Sequence, residues 1–270
     1  MAKVRLDVLL TQRGLAETRS KAQALIMSGQ VQVNGQLLTK AGTQVPVEAT
    51  VTIAEGLPYV SRGGIKLAAA LDAFALDPTG LVCADVGAST GGFTDVLLQR
   101  GALKVYAIDV GYGQLAWQLR QDERVVVMDR TNARYVEALP DRIDLVTLDL
   151  SFISLKLLFP VIVKWFDRFG KVIALIKPQF EAGSAQVGKG GVVRDPATHR
   201  QVLQQVIEYA EASGLSVLGL TPSPITGPAG NHEFLLYLGW RLEAAHLDTE
   251  KMIEISVLAV HPEPEADYLV

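Results

Sequence analysis

The chain has 270 residues, 49% of them hydrophobic and 20% charged, which is typical of a globular protein with room for one large and one small domain. Its net charge of −4 would by itself argue against a nucleic-acid partner. However, residues 1–66 contain eight Lys and Arg against four Asp and Glu, and residues 241–270 contain two against seven. A basic end on an acidic body predicts that the N-terminal end meets a polyanion.

Cysteine usage and hydropathy argue against a secreted or membrane-spanning protein. The single cysteine, Cys83, lies in an apolar run, which predicts a buried thiol, and one cysteine cannot form a disulfide within the chain. Asp7 and Arg13 interrupt any signal sequence, and the longest uncharged stretch, between Glu211 and Glu233, carries three prolines and four glycines. We therefore expect a cytoplasmic protein without a membrane partner.

The N-terminal residues are expected to form a small α+β module. Leucines with helical spacing predict a first helix over residues 6–13, and Thr18 could cap a second helix over Arg19–Met27. The Asn34-Gly35 pair between apolar residues is a strong signal for a two-residue hairpin, and a further strand is predicted over residues 51–53.

Several basic side chains belong to this module. Their charge alone is explained equally well by a solvated protein surface and by a binding surface. The run TRSKAQALIMSGQVQVNGQLL at residues 18–38, however, resembles the S4-like (alpha-L) RNA-binding module of a small-subunit ribosomal protein and of pseudouridine synthases. This resemblance covers residues 3–53 and implies two helices and a β-ribbon that bind RNA phosphates. The RNA-binding candidates here are Arg5, Arg13, Arg19 and Lys21, with Lys40 as a further one.

A second patterned region begins after the Gly- and Pro-containing stretch Glu55–Ser61, which predicts domains over residues 1–58 and 59–270. Beyond it, near-continuous apolar runs alternate with amphipathic stretches, which predicts an α/β fold with a parallel sheet buried on both faces. The expected strands are 81–86, 105–108, 125–128, 145–148, 172–176, 215–220 and 234–238, and the expected helices include 67–74, 93–100, 156–169 and 196–212.

The last two expected strands are joined by a Pro- and Gly-rich connection and predict a hairpin at the sheet edge. A mostly parallel sheet with an antiparallel edge strand is typical of the Rossmann-like class I methyltransferase fold. The sequence therefore predicts this fold for the large domain.

The run DVGASTGGFTD at residues 85–95 follows a predicted strand and opens a predicted helix, as a nucleotide-binding loop does. A phosphate-binding loop would need Gly-Lys-Ser/Thr, and a dinucleotide loop would have glycine where Ser89 stands. S-adenosylmethionine carries no phosphate, and its positive sulfonium tolerates acidic neighbours, so we favour this methyl donor over a dinucleotide. The cofactor-binding candidates in the loop are Asp85, Gly87, Ser89, Gly91, Gly92 and Phe93.

Two further strand ends carry cofactor-binding candidates. Asp109 ends the next predicted strand, where a carboxylate can bind ribose hydroxyls. Asp129 and Asn132 follow the third strand, where an Asp commonly meets adenine in such sheets. A polar turn between strand and helix is the alternative interpretation of these two residues.

Four charged residues are expected at one edge of the sheet. Asp149 and Lys177 follow predicted strands, Glu233 opens a later strand, and Lys66 lies in the helix before the sheet. Ligands of open α/β sheets bind at the carboxyl ends of strands. Each charge alone could be a solvated strand end or a lysine that extends to solvent, but together they predict a reactive centre.

These four residues match the Lys-Asp-Lys-Glu tetrad of RNA 2′-O-methyltransferases of the FtsJ class. The strings SRGGIKL, DVGASTGGFTD, LDLSFISL, IKPQFEAG, GKGGVVRD and GNHEFL resemble the TlyA family nearly from end to end. The resemblance implies an S-adenosylmethionine-dependent enzyme that methylates cytidine 2′-hydroxyls in 16S or 23S ribosomal RNA, free or within ribosomal subunits. It also implies catalytic roles for Lys66, Asp149, Lys177 and Glu233. Some family members are also labelled haemolysins.

The tetrad suits this chemistry because a ribose hydroxyl is a poor nucleophile that must be positioned and must lose its proton. Lys177 could orient the 2′-oxygen and stabilise its developing negative charge. Lys177 could act as a base only in its neutral form, which a neighbouring cation favours and neighbouring carboxylates oppose. The sequence leaves open which influence is larger.

The segment Phe180–Arg194 contains four glycines and two further RNA-binding candidates, Lys189 and Arg194. Its two interpretations are a flexible connection without a function and a mobile cationic flap over the RNA, and we favour the flap because it directly follows Lys177. The four histidines have no ligand spacing, so no metal is expected.

Two functions without catalysis stay as alternatives. The first is an RNA-binding assembly factor with a vestigial site, against which the intact glycine loop and tetrad speak. The second is a membrane-lysing protein, for which the sequence offers no mechanism, because the helix expected over residues 247–260 carries Asp248, Glu250 and Glu254.

Overall fold

The computed structural model describes residues 3–27, 30–38, 40–53, 58–242 and 247–262. The chain divides into two units, Met1–Pro58 and Tyr59–Val270. Part of the stretch predicted as a linker, residues 55–57, lies outside the described residues.

The N-terminal unit has the two helices and the hairpin that its sequence predicts. Asn34 and Gly35 both have positive φ, as a two-residue hairpin turn requires, and the hydroxyl of Thr18 accepts a hydrogen bond from the N–H of Lys21 at the start of the second helix. The elements are β1 (Lys3–Arg5), α1 (Leu6–Gln12), α2 (Arg19–Met27), β2 (Val31–Val33), β3 (Gln36–Leu37), β4 (Gln44–Pro46) and β5 (Val51–Ile53).

The strands of this unit form a three-stranded antiparallel sheet in the order β3-β2-β5 and a separate antiparallel pair, β1 with β4. The pair was not predicted, because three residues at each partner are too few to show a period. The apolar faces of both helices and of β2 pack into one core with Leu6, Leu10 and Ile26 fully buried.

The second unit contains a seven-stranded sheet whose strands lie close to the predicted runs. Their order across the sheet is β11-β12-β10-β9-β6-β7-β8. The strands are β6 (Val82–Val86), β7 (Lys104–Ile108), β8 (Val125–Met128), β9 (Leu145–Leu148), β10 (Gly170–Ile176), β11 (Leu215–Pro222) and β12 (Phe234–Trp240).

The sheet is parallel except for β12, which is antiparallel to both of its neighbours, β10 and β11. The antiparallel strand is therefore one position in from the edge, and β11 is the edge strand, so the predicted edge position of the antiparallel strand is wrong in this detail. The crossover from β10 leaves space for one strand, and β12 fills it by returning from β11 as a hairpin.

Helices cover both faces of the sheet. Leu67, Leu71 and Leu97 belong to the core on one face, whereas Phe159, Leu203 and other residues form the core on the opposite face with Val257. The helices are α3 (Gly63–Ala73), α4 (Gly92–Gln99), α5 (Trp117–Arg120), α6 (Phe159–Ile162), α7 (Pro178–Glu181), α8 (Pro196–Ala212) and α9 (Thr249–Val260).

The helix predicted over residues 156–169 is wrong as a continuous element. The chain there forms a 3-10 turn at Leu155–Leu157, the four-residue α6 and a second 3-10 turn at Val163–Trp165. Pro160 lacks the N–H that a continuous helix would use, and its ring disfavours a preceding helical turn. The apolar spacing of this segment arises from short turns that cover one face of the sheet.

Candidate active site

The predicted tetrad lies at the carboxyl edge of the sheet. Asp149 and Lys177 come directly after the neighbouring parallel strands β9 and β10. Lys66 reaches the same place from α3, and Glu233 from the residue before β12. All four line one cavity of about 670 Å³, so the structure brings together the four residues that the sequence predicts.

Lys66 and Glu233 form a buried ion pair. Nζ of Lys66 lies 2.5 Å from Oε2 of Glu233, and the two side chains are 9% and 1% exposed. Gly227 approaches so closely that a Cβ atom there would collide with Oε1 of Glu233. Because charges so far from water are tolerated only when they are paired, each of these ions fixes the other.

Lys177 forms the second ion pair of the tetrad. Its Nζ lies 2.6 Å from Oδ1 of Asp149, an ion contact that lacks the geometry of a directed hydrogen bond. The same Nζ donates a hydrogen bond to Oγ of Ser151 at 3.1 Å. An ammonium has three N–H donors, so Lys177 can still donate to an oxygen that enters the cavity.

The carboxylate of Asp85 lies under the glycine loop and not in the cavity. Oδ2 accepts hydrogen bonds from the backbone N–H and the hydroxyl of Thr94, at 2.9 and 2.7 Å, and Oδ1 accepts one from the hydroxyl of Thr147 at 3.0 Å. Complete burial raises the pKa of Asp85 to about 7 against these hydrogen bonds. This geometry does not support the predicted cofactor contact of Asp85, because the side chain holds the loop to α4 and β9.

The glycines of the loop are needed for packing as well as for access to a ligand. Gly87 has φ +84° and borders the cavity, and a Cβ atom there would collide with the backbone carbonyl of Asp149. Gly91 has φ +97° and lies against Leu115 and Leu119. A substitution at either glycine would therefore strain the sheet edge before any ligand was involved.

The other predicted loop residues lie as follows. A Cβ atom at Gly92 would collide with Ser61, and the ring of Phe93 packs into the core while it borders the 670 Å³ cavity. Ser89 is exposed and has φ +49°. Its N–H donates to Oδ2 of Asp109 at 2.8 Å, which links the glycine loop to the end of β7.

A second cavity, of about 430 Å³, lies beside the first and shares Gly87, Ser89 and Asp149 with it. Asp109 and Asn132 line this cavity, as the cofactor prediction requires. The carboxylate of Asp109 is held in place by the N–H groups of Ser89 and of Gly111, at 2.8 and 2.6 Å. Two adjoining cavities can hold a donor and an acceptor with their reacting atoms close together.

Asp129 does not line either of these two cavities. Its carboxylate pairs with Arg120 and accepts a hydrogen bond from the N–H of Gly113 at 3.2 Å. These contacts favour the alternative interpretation, a structural polar turn, over a contact with adenine. Asn132, by contrast, borders the second cavity, and its side chain accepts a hydrogen bond from the N–H of Arg134.

The glycine-rich segment Phe180–Arg194 is anchored beside the tetrad. Asn231 is 1% exposed. Its Oδ1 accepts a hydrogen bond from the N–H of Val193, and its Nδ2 donates to the carbonyl of Gly191, both at 2.9 Å. Lys189 and Arg194 are exposed and do not line the cavity. These two hydrogen bonds hold the segment at Gly191 and Val193, and the mobile cationic flap over the RNA stays a prediction.

The predicted RNA-binding arginines of the N-terminal unit have partners within that unit. Arg5 and Arg19 both donate to the buried carboxylate of Asp7. Arg13 donates to two backbone carbonyls, those of Ala49 at 2.7 Å and Val47 at 2.5 Å. Arg13 thus contributes to the fold, which its sequence position did not indicate.

The two lysine candidates of this unit are exposed. Lys21 forms an ion pair with Glu17, four residues earlier and just before α2, and such surface pairs contribute little to stability. Both ammonium groups are accessible to a polyanion.

Sequence reasoning missed several side chains that line the first cavity. Ser151 contacts Lys177, and Asn231 holds the glycine-rich segment. Phe152 is 90% exposed with φ +64°, and its ring lies 4.8 Å from that of Phe180. An aromatic residue shortly after each strand end, in DLSF and KPQF, was the available signal.

Three of the four histidines lie close together. Nδ1 of the buried His199 lies 2.8 Å from Nε2 of His261, and the ring of His232 is 5.5 Å from that of His261. Burial lowers the pKa of His199 to about 4, with a smaller contribution from the other two rings. Within the described residues, no three His, Cys, Asp or Glu side chains are arranged to hold a metal ion.

A mostly parallel seven-stranded sheet, a glycine loop and a cavity at the carboxyl ends of the strands define a class I methyltransferase fold. Residues 59–240 match the family of FtsJ-like methyltransferases, and residues 4–51 match the S4 domain. The chain therefore belongs to the FtsJ-like methyltransferase family and carries an S4 domain.

Two relatives cover most of the chain. Bacillus subtilis YqxC, named as a candidate rRNA methyltransferase, is 51% identical over 88% of this chain and 86% of its own. The Mycobacterium tuberculosis 16S/23S rRNA (cytidine-2′-O)-methyltransferase TlyA is 47% identical over 90% of this chain and 92% of its own. The predicted resemblance to the TlyA family is thus confirmed.

Solved structures give the same fold. A Streptococcus thermophilus protein named as a candidate hemolysin has a TM-score of 0.75 and 44% identity, covering 97% of this chain and 96% of its own. A candidate S-adenosylmethionine-dependent methyltransferase of Listeria monocytogenes, 14% identical, shares the fold alone, with a TM-score of 0.51 over 67% of this chain and all of its own. None of the helices that the structure describes combines the length and apolar character needed to cross a membrane.

Proposed function

We propose that this protein transfers a methyl group from S-adenosylmethionine to the 2′-hydroxyl of a cytidine in 16S or 23S ribosomal RNA. The observation that carries the proposal is the convergence of Lys66, Asp149, Lys177 and Glu233, as two ion pairs, in a cavity beside the glycine loop. A ribosomal substrate also implies that the protein works in the cytoplasm.

The acceptor oxygen would lie near Lys177. The cavity is open at this residue, and its ammonium has a donor left after its contacts with Asp149 and Ser151. A hydrogen bond from this ammonium would orient the ribose oxygen and stabilise the negative charge that develops as the hydroxyl proton leaves. Asp149 would hold the ammonium in place through Oδ1 and would accept the proton on its second oxygen.

The buried pair of Lys66 and Glu233 would shape the site without contacting the departing proton. Both side chains are almost fully covered, whereas Lys177 and Asp149 are 12% and 22% exposed. A fixed ion pair gives the cavity wall a permanent dipole, and such preorganised charge needs no rearrangement during the reaction.

The methyl donor would occupy the smaller cavity. S-adenosylmethionine supplies an electrophilic methyl group on a positively charged sulfur. Asp109 would accept hydrogen bonds from its ribose hydroxyls, and Asn132 and the backbone around Ser89 would complete the site. The shared wall at Gly87 and Asp149 would bring donor and acceptor into contact.

The RNA would be held by the basic N-terminal unit and by Lys189 and Arg194 of the large unit. The target base would leave its stack, because a ribose within a helix cannot enter a cavity at a sheet edge. The exposed ring of Phe152, beside Phe180, offers a surface on which an unstacked base can rest. The complete tetrad supports this enzyme over an RNA-binding assembly factor without catalysis.

The test removes the ammonium group of Lys177 and keeps a side chain of similar length. Lys177→Met should abolish transfer of a tritiated methyl group to ribosomal subunits or free rRNA, while calorimetry should show nearly unchanged binding of the donor. Lys171→Met is the matched control, since Lys171 lies at the opposite end of β10, the strand that Lys177 directly follows. Normal turnover by Lys177→Met would contradict the proposed role of the tetrad.

A further inference from the structure

The N-terminal unit buries a carboxylate at the centre of its basic side chains. The side chain of Asp7 is fully covered. Its two oxygens accept two hydrogen bonds from Arg5, at 3.0 Å each, and one each from Arg19 and Gln23 at 2.9 Å. Asp7 also accepts the N–H of Val8 in the first turn of α1.

The two arginines are half exposed although their partner is buried. The side chain of Arg5 is 42% exposed and that of Arg19 is 55% exposed. Arg19 uses only its Nε in the contact with Asp7, and Arg5 uses Nε and Nη2. Among the described residues, the remaining guanidinium N–H groups make no hydrogen bond, so they are available to an anion.

Arg5 and Arg19, which belong to different elements of the unit, thereby share one anchor. The hydrogen bond from Arg5, followed by those from Gln23 and Arg19, holds the pKa of Asp7 far below its usual range against the cost of burial. Asp7 is therefore ionised at neutral pH, and the two arginines are tied to it as charged groups.

A stability role alone explains this arrangement poorly. Replacing a buried ion pair by well-packed apolar residues is often neutral or stabilising. A carboxylate also reduces the positive charge of a unit that meets a polyanion. The buried carboxylate of Asp7 nevertheless lies where it holds the long side chains of Arg5 and Arg19, which would otherwise be free to move.

We propose that Asp7 is a positioning residue that holds Arg5 and Arg19 as a pre-ordered pair for RNA phosphates. The proposal rests on the proposed function, because it takes the N-terminal unit to bind rRNA. Binding to flexible arginines would require each side chain to be immobilised at that moment, whereas arginines already fixed by Asp7 avoid this cost.

A positioning role for Asp7 and a simple effect of charge predict opposite changes in the affinity for rRNA when Asp7 is neutralised. Asp7→Asn removes one negative charge from a basic unit. If only charge mattered, the variant would bind rRNA more tightly, with an unchanged or steeper dependence on salt. If Asp7 positions the arginines, the variant binds more weakly and its salt dependence becomes shallower.

The experiment measures binding of the full chain to in vitro transcripts of 16S and 23S rRNA over a range of salt concentrations. Asp7→Asn should weaken binding roughly tenfold, the value expected when two long side chains lose their order. The slope of log K against log salt should fall by about 0.9 for each duplex phosphate that the arginines no longer neutralise. Glu48→Gln is the matched control, because Glu48 is an exposed carboxylate of the same unit and the change in charge is the same.

Hydrogen exchange in α1 and α2 reports whether the N-terminal unit of the variant is folded. If Asp7→Asn does not fold, Gln23→Met takes its place, since it removes one neutral partner of Asp7 at constant charge. Gln23→Met should weaken binding about threefold, the value of one hydrogen bond. Binding by the folded variants as tight as that of the unmodified protein would overturn the positioning role. Failure of the unmodified protein and of Glu48→Gln to bind either transcript would instead overturn the proposed function.

Discussion

We expect the buried pair of Lys66 and Glu233 to contribute little or nothing to the free energy of unfolding and to be needed for the reaction. The change that tests this is Lys66→Met, which leaves the 1% exposed Glu233 without its cation. The double variant Lys66→Met/Glu233→Leu removes both charges and fills the space with apolar side chains.

The burial of both side chains places the pair among the buried ion pairs, whose disruption has a known cost. Breaking a buried pair by removing one partner costs about 3–5 kcal/mol, because an uncompensated charge stays away from water. For a domain of this size that corresponds to a fall of roughly 10 °C in the melting temperature. Replacing both partners removes the desolvation cost as well as the attraction, so the double variant should recover most of the loss.

Tryptophan fluorescence is a suitable assay, since all three tryptophans, Trp117, Trp165 and Trp240, belong to the large unit. Urea unfolding of the unmodified chain and of the variants gives the free energy of unfolding for this unit. Methyl transfer is measured in parallel, and both variants should be inactive.

A double variant that loses as much free energy of unfolding as Lys66→Met alone, or more, would refute this reasoning. A decrease of less than about 1 kcal/mol in the free energy of unfolding of Lys66→Met, which is the range of an exposed ion pair, would also refute it. A stable but inactive double variant would show that the pair serves the reaction and not the fold.

Asp85, Gly87 and Asn231 give three further predictions. The raised pKa of Asp85 means that its contribution to stability falls as the pH rises from about 4 to about 7, so Asp85→Asn should flatten the pH dependence of urea unfolding over that range. Gly87→Ala should lower the melting temperature without the donor present, because a Cβ atom meets the carbonyl of Asp149; an unchanged melting temperature would contradict this. Asn231→Ala should speed hydrogen exchange at Val193, whereas Gln186→Ala, which changes an exposed side chain of the same segment, should not.

Apolar runs were enough to predict the strands of the large sheet, since a strand covered on both faces is apolar along its whole length. The same runs did not predict the break at Pro160, because short 3-10 turns and a helix place apolar residues at similar spacings. The position of β12 inside the sheet depends on its pairing with both β10 and β11, and no local sequence pattern shows which strands pair.

The convergence of the tetrad was predictable because parallel strands end at one edge, so that Asp149 and Lys177 must be neighbours. The direction in which each carboxylate points could not be predicted from the sequence. Asp85 and Asp129 both follow the pattern of cofactor residues, yet one is held by Thr94 and Thr147 and the other by Arg120. Such partners come from distant parts of the chain, so only the folded structure reveals them.

The chemical identity of the methylated product tests ribose methylation by this protein. The full chain is incubated with S-adenosylmethionine that carries a deuterated methyl group and with ribosomal subunits or free rRNA, and the RNA is digested to nucleosides for mass spectrometry. We expect deuterated 2′-O-methylcytidine, with resistance to alkali at the adjacent phosphodiester. Label on a base, on another nucleoside or on no RNA at all would contradict it.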